Sequence, residues 1–199
     1  MIRDNIVYFS GPHGSGKSTL INTLMDLQPD RFVRRIKLET PKETDTYERT
    51  KIKLVRYYFQ TFRENEIAQQ NPNKIVLCDR SVIDFHGYVA GFIKIGWITE
   101  AQYQGLLQAY ELFFPPERRP KNIVFIDPPL DFMIANIKRR WETEPKKWRE
   151  DEFYYLAAVR IAFQEFIKSY DGNVLDLQAV DLDERVKQCS EWFDKICSN

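Results

Sequence analysis

Nine residues near the amino end, Gly11-Pro12-His13-Gly14-Ser15-Gly16-Lys17-Ser18-Thr19, carry the densest chemical information in this chain of 199 residues. They fit GxxxxGK[ST], a loop whose glycines let consecutive backbone N–H groups turn toward phosphate oxygens. The helix that such a loop opens adds its positive dipole end. In this pattern Lys17 reaches the β and γ phosphates of a nucleoside triphosphate, and the Ser18 hydroxyl coordinates Mg²⁺. ATP and Mg²⁺ are therefore the expected cofactors, with Gly11, His13, Gly14, Ser15, Gly16, Lys17, Ser18 and Thr19 as the ATP-binding set. His13 is read as contributing mainly its backbone, because histidine is not among the parts phosphoryl transfer normally uses.

A triphosphate loop is common to GTPases, motor and transport ATPases and small-molecule kinases, so the remaining residues must choose among them. The base-reading NKxD segment of a GTPase is missing: Asn73-Lys74 continues as Ile-Val, and the late strand-end acid, Asp127, is followed by Pro-Pro. A kinase needs an acceptor pocket and a mobile cationic cover. Asp79-Arg80-Ser81 puts an acid and a base at a strand's carboxyl end, where open α/β sheets bind ligands. Asp79 could hold Mg²⁺ beside Ser18 or orient the attacking oxygen, and Arg80 could take a phosphate bidentately. Arg56, Phe59, Gln60 and Arg63 fall at i, i+3, i+4 and i+7, a stripe offering an aromatic face and polar groups to a nucleobase. Residues 138–149 carry six bases and two acids. A charge run is ordinarily a solvated face. After a phosphate loop and a fourth strand, this one reads as a lid whose Arg139, Arg140 and Arg149 meet the charge developing on the transferred group.

The elements that must position these groups alternate along the chain. Near-continuous apolar runs at 5–10, 31–38, 74–79, 122–127 and 173–177 predict strands covered on both faces. Helical spacing fills 17–27, 47–70, 81–95, 100–113, 129–141, 152–169 and 182–197. The expected fold class is α/β, a P-loop kinase fold with a five-stranded parallel sheet, helices on both faces and a short lid. The chain reads as a single domain over 1–199, with the lid at about 138–151. Lys+Arg and Asp+Glu are 29 each, a balance that disfavours a surface made to coat nucleic acid or anionic membrane. Residues 31–63 nevertheless hold ten bases and four acids, so positive charge gathers where phosphates are expected. Three cysteines without a CxxC pair imply a reducing compartment. No apolar stretch approaches membrane-spanning length, and the protein is expected to be cytoplasmic.

The chain resembles the thymidylate kinase and deoxynucleoside kinase superfamily of P-loop proteins over nearly its whole length. The matching pieces are GPHGSGKST, ETP at 39–41, YFQTFR at 58–63, CDRS at 78–81, FIDPP at 125–129, IKRR at 137–140 and VLDLQ at 174–178. The resemblance implies that Asp79 and Arg80 act at the acceptor and metal, that lid arginines contact the transferring phosphate, and that Leu177, Gln178 and Ala179 pack on adenine. Glu39 with Phe59-Gln60 looks like the general base and base-reading pair of deoxynucleoside kinases. Arg63 sits where thymidylate kinases place a base-reading arginine. The thymidylate kinase clamp TREPG is replaced by KLETP, so Arg35, Lys37 or Arg80 would have to hold an acceptor phosphate. The basic 31–63 region favours a deoxynucleoside monophosphate, dTMP to dTDP, with a deoxynucleoside 5′-hydroxyl as the alternative. A nucleotide-binding regulatory or RNA-end-processing protein on the same fold is the reading from another class. The family's habit makes a homodimer, paired through the helices after the first and third strands, the expected assembly.

Overall fold

A computed structural model describes residues 2–39, 41 and 45–197. Five strands, β1 (Ile6–Ser10), β2 (Phe32–Arg34), β3 (Ile75–Asp79), β4 (Asn122–Ile126) and β5 (Asn173–Leu177), form one parallel sheet in the order β2-β3-β1-β4-β5. Parallel pairing requires a crossover after each strand, and helices supply it. They are α1 (Lys17–Leu27), α2 (Thr46–Gln70), α3 (Ile83–Lys94), α4 (Glu100–Phe113), α5 (Leu130–Arg140), α6 (Phe153–Lys168) and α7 (Leu182–Cys197).

Strand residues alternate between two apolar layers. Val7, Phe9, Leu77, Val124 and Ile126 pack toward α1 and α7. Ile6, Tyr8, Val76 and Cys78 face the other side with Ala68 of α2, and Ile123 and Phe125 meet α3 and α6 there. Because both faces are covered, the central strands carry no polar alternation. In the register, Phe9 lies opposite Asp79 on one side and Val124 on the other. The phosphate loop after β1, the Asp79-Arg80 turn after β3 and Asp127 after β4 therefore emerge together at one edge of the sheet.

The second strand is shorter than the apolar run at 31–38 predicts. Only Phe32–Arg34 pairs with β3 as strand; the Arg35 N–H still donates to the Leu77 carbonyl at 3.0 Å, while its guanidinium enters the core and pairs with Glu64 at 2.6 Å. Thr40 of the ETP segment lies outside the described residues, as do Met1, residues 42–44 and residues 198 and 199. Among the described residues no helix is long and apolar enough to cross a membrane, and Cys78 and Cys189 are free, buried thiols.

The closest helix contact is between α3 and α6. A Cβ at Gly91 would come within 2.6 Å of Val159 Cγ2 and 2.9 Å of Val159 Cα. Such a clash with backbone cannot be relieved by a rotamer change. Gly91→Ala is expected to lower stability by about 1–3 kcal/mol despite alanine's better helix propensity. Urea unfolding followed by circular dichroism checks this, with a fall in midpoint at unchanged slope.

Candidate active site

The phosphate loop is built by its backbone. Gly11 (φ 138°) sits where a Cβ would lie 2.4 Å from the Ile126 carbonyl oxygen, and Gly16 (φ 93°) is the residue that starts α1. No side chain caps α1, so its first-turn N–H groups face the cavity with their dipole end, as an anion site requires. Lys17 is buried and folds back on the loop, donating to the Gly11 carbonyl at 2.9 Å, the Pro12 carbonyl at 2.6 Å and Ser15 Oγ at 2.8 Å. Those acceptors hold the place that phosphate oxygens would take. Burial first, and then the Arg80 charge, bring the Lys17 ammonium down to about 7. The Ser18 hydroxyl donates to Asp79 Oδ2 at 2.7 Å. Burial alone would raise the Asp79 carboxyl, but Lys17, Arg80 and the Ser18 bond together hold it below its ordinary range. An ionised carboxylate and a hydroxyl oxygen side by side, next to a phosphate loop, are a donor set that suits a hard cation such as Mg²⁺.

Across the loop, Arg80 stands in the left-handed region (φ 72°), a conformation costly for a side-chain-bearing residue. Its guanidinium donates to Asp84 Oδ1 at 2.8 Å and to the Gly11 carbonyl at 3.2 Å. Asp84 is completely buried and also accepts from Ser10 Oγ and from the Ser81 backbone N–H, both at 2.9 Å. Arg35 braces the same turn from below, donating to the Asp79 and Arg80 carbonyls. Engaged this way, Arg35 is a scaffold for the turn. Lys37 lines the cavity, and its ammonium is lowered by burial and then by Arg56 and Arg80. His13 lies edge-on to Tyr88 at 5.4 Å between ring centroids. Burial, then Arg80 and Lys53, hold its imidazole well below its usual value, so it is neutral near pH 7.

Arg139 and Arg140, at the end of α5, line the cavity of about 820 Å³ that the phosphate loop, Asp79 and Arg80 also border. Arg139 donates to Asn136, which itself donates to the Gly14 carbonyl at 2.9 Å. Arg140 pairs with the fully buried Glu150, which also accepts from Trp141 Nε1 at 2.7 Å and from the Lys147 backbone at 2.8 Å. Arg149 does not join them. It lies over the Trp97 ring at 4.2 Å, in a left-handed conformation (φ 50°), outside the set that lines the cavity.

The stripe at 56, 59, 60 and 63 does not form one surface. The buried side of α2 runs through Leu54, Tyr57, Gln60, Glu64 and Ala68, so the stripe straddles the boundary of that side. Gln60 is 1% exposed and donates to Glu64 at 3.2 Å, while Phe59 is 58% exposed and Arg63 is also on the outside. Glu39 is exposed beyond β2. Gln178 is exposed and donates to Asp176 at 3.1 Å, and Ala179 gives its carbonyl to Arg185; their neighbours Val180 and Leu182 line the cavity instead. Sequence reasoning missed Asp84, Asn136, Glu150, Lys53 and Arg185. The four-residue spacing of Arg80 and Asp84 on an incipient helix was a usable signal for the first. Arg185 sits in an acidic segment with none.

A family model described as "AAA domain" matches residues 6–185. No curated protein matches the sequence. Among solved structures, deoxyadenosine kinase from M. mycoides with bound dATP superposes at a TM-score of 0.68 with 15% identity, covering 95% of this chain and 99% of that one. The same enzyme with bound dCTP gives 0.68 and 15%, over 96% and 99%. With its products dCMP and a flexible dCDP, it gives 0.64 and 14%, again over 96% and 99%. The five-stranded parallel sheet flanked by helices is thus the P-loop fold of these kinases.

Two outcomes follow from this geometry. Phosphate oxygens bind the charged form of Lys17, whose free-state value is about 7, so triphosphate binding takes up a proton when the pH lies above that value. ATP affinity should be flat below this point and fall up to about tenfold per pH unit above it. Calorimetry at about pH 8 in buffers of different ionisation enthalpy measures the uptake; a buffer-independent heat contradicts it. Asp84→Asn keeps a hydrogen-bonding side chain but removes the charge facing Arg80. It should destabilise the fold by about 3–5 kcal/mol, as loss of one partner of a buried ion pair does, seen in thermal unfolding.

Proposed function

We propose that this chain, which belongs to the AAA domain family, is an Mg²⁺-dependent kinase that moves the γ-phosphoryl group of ATP to a deoxynucleoside monophosphate of pyrimidine type, dTMP to dTDP. The observation that carries the monophosphate reading is the crowd of cations on the acceptor side. Lys53 is lowered well below its usual value by burial and then by Arg49, Arg80, Arg56 and Lys37. Lys37 is lowered likewise by burial and then by Arg56 and Arg80, so two lysines share the field of the same two arginines, positive charge that an acceptor phosphate would neutralise. Arg80 and Lys37 border the cavity itself.

In this reading the phosphate loop and Lys17 hold the donor, and Ser18 with Asp79 would hold Mg²⁺, which would supply positive charge against the phosphates. Arg80, fixed by Asp84, orients the acceptor phosphate toward the γ-phosphorus. Arg139 and Arg140 meet the charge that spreads over the equatorial oxygens as the bond to the leaving oxygen lengthens. Glu39, Phe59, Gln60, Arg63 and Arg149 do not line the cavity and carry no step in this reading.

A 5′-hydroxyl acceptor is the second reading, supported by the fold shared with deoxyadenosine kinase. Free buried thiols at Cys78 and Cys189 accord with a reducing cytoplasm. Of the two helices expected to pair in a homodimer, α1 and α3, the second is buried along most of its length within the chain. Val55, Phe59 and Phe62 on α2 and Leu112 on α4 are exposed and support a pairing face there instead.

The test is a panel in which ADP release is followed with dTMP, dUMP, thymidine, deoxycytidine, deoxyadenosine and a 5′-hydroxyl oligonucleotide. Transfer to dTMP or dUMP is expected, and Lys17→Ala should abolish it. Turnover of nucleosides alone establishes the second reading. Transfer to the oligonucleotide alone, or ATP binding without transfer, assigns the fold to end-processing or regulation. Replacing Arg139 and Arg140 together should lower kcat by about 10³-fold or more if they meet the transition-state charge.

A further inference from the structure

The far wall of the donor cavity contains Arg185 of α7, which is 3% exposed. Its Nε donates to the Ala179 carbonyl at 2.6 Å, and its Nη1 donates to the Ser15 carbonyl at 2.8 Å. One acceptor belongs to the segment after β5 and the other to the phosphate loop, so a single planar group spans two parts of the site that are 164 positions apart between Ser15 and Ala179. The guanidinium has little freedom to leave. A Cβ at Gly16 would lie 2.7 Å from Nη1, and the Phe132 ring covers the other side, 5.4 Å from Cζ.

The arrangement carries a cost in stability. Nη2 is buried without a hydrogen-bond partner, and a desolvated, unsatisfied donor on a cation is unfavourable. What two bonds to backbone carbonyls do secure is distance and orientation. Arginine suits this use because its donors lie in one rigid plane, whereas an ammonium is a single point. Val180 and Leu182, which follow Ala179, form the apolar wall of the cavity beside Phe132. A nucleobase needs such a wall at a fixed span from its phosphates.

We infer that Arg185 is a positioning residue that sets the wall for the donor's nucleobase at a fixed distance from the phosphate loop, and so selects a nucleoside triphosphate over a bare polyphosphate. This rests on the donor site of the proposed kinase but not on the acceptor. The strut acts through Val180 and Leu182, so its loss falls on ligands that carry a base and spares those that do not.

The experiment compares binding of ATP and of inorganic tripolyphosphate by calorimetry, without acceptor, to the full chain and to Arg185→Met and Arg185→Lys. The unaltered protein should bind ATP more tightly than tripolyphosphate. Arg185→Met should weaken ATP by about tenfold, the order of one charge-assisted hydrogen bond, and leave tripolyphosphate within about twofold. Arg185→Lys, able to reach one carbonyl but not both, should fall between. Equal losses for the two ligands would make Arg185 a prop of the phosphate loop alone, and no loss would remove its role; either overturns the inference. Equal affinity of the unaltered protein for both ligands overturns it whatever the variants do. Failure of every acceptor in the transfer panel leaves these binding results unaffected, so the two readings fail separately.

Discussion

The completely buried Asp84 carboxylate is the interaction on which the rest of the site depends. It gathers Ser10 from the end of β1, the Ser81 amide from the turn after β3, and the Arg80 guanidinium, which in turn reaches the Gly11 carbonyl. A carboxylate in such a place is tolerable only if every lone pair facing a donor is used and a cation stands beside it. Meeting that condition draws the end of one strand, the start of the phosphate loop and the Asp79-Arg80 turn into one cluster. The left-handed backbone at Arg80 is the strain that this cluster sustains. Arg35, paired with Glu64 inside the protein, supports the same turn from its carbonyl side.

The cationic segment between α5 and α6 divides between its two ends. At its start, Arg140 and Trp141 converge on the buried Glu150 carboxylate, and Arg139 and Arg140 line the cavity beside the phosphate loop. Toward its far end, Arg149 lies over Trp97, while Trp148 packs edge-on against Phe92 and Tyr155. One half of the segment is thus committed to charge and the other to aromatic packing. A sequence that reads KRRWETEPKKWR shows neither, because net charge is a sum and the division is made by which residues meet an aromatic face.

The elements themselves were legible. All five strands and seven helices among the described residues fall where apolar period and turn residues predict, and the phosphate loop forms as its glycines require. Errors arose where a side chain's direction depended on partners distant in sequence. The apolar run at 31–38 ends as a strand at Arg34, and the Arg35 side chain is committed to Glu64 in the core. The stripe from Arg56 to Arg63 obeys helical spacing, but spacing fixes only relative angles, and the core contacts of Tyr57 and Glu64 set which way the helix faces. Gln178 and Ala179 lie one to four positions before Val180 and Leu182, a difference decided by how the chain leaves β5. Nothing local marks Arg185, whose partners lie in two other segments.

The contact of Gly91 with Val159 joins α3, which follows the Asp79-Arg80 turn, to α6, which follows the cationic segment. At Gly91 against Val159 and at Gly87 against the Phe163 ring, the two helices leave each other no room to slide. The end of the cationic segment that leads into α6 is therefore tied to the helix that follows the Asp79-Arg80 turn, and its other end continues from α5, whose Asn136 donates to the Gly14 carbonyl of the phosphate loop. Relative movement of these two parts has only the dozen residues between α5 and α6 to bend through.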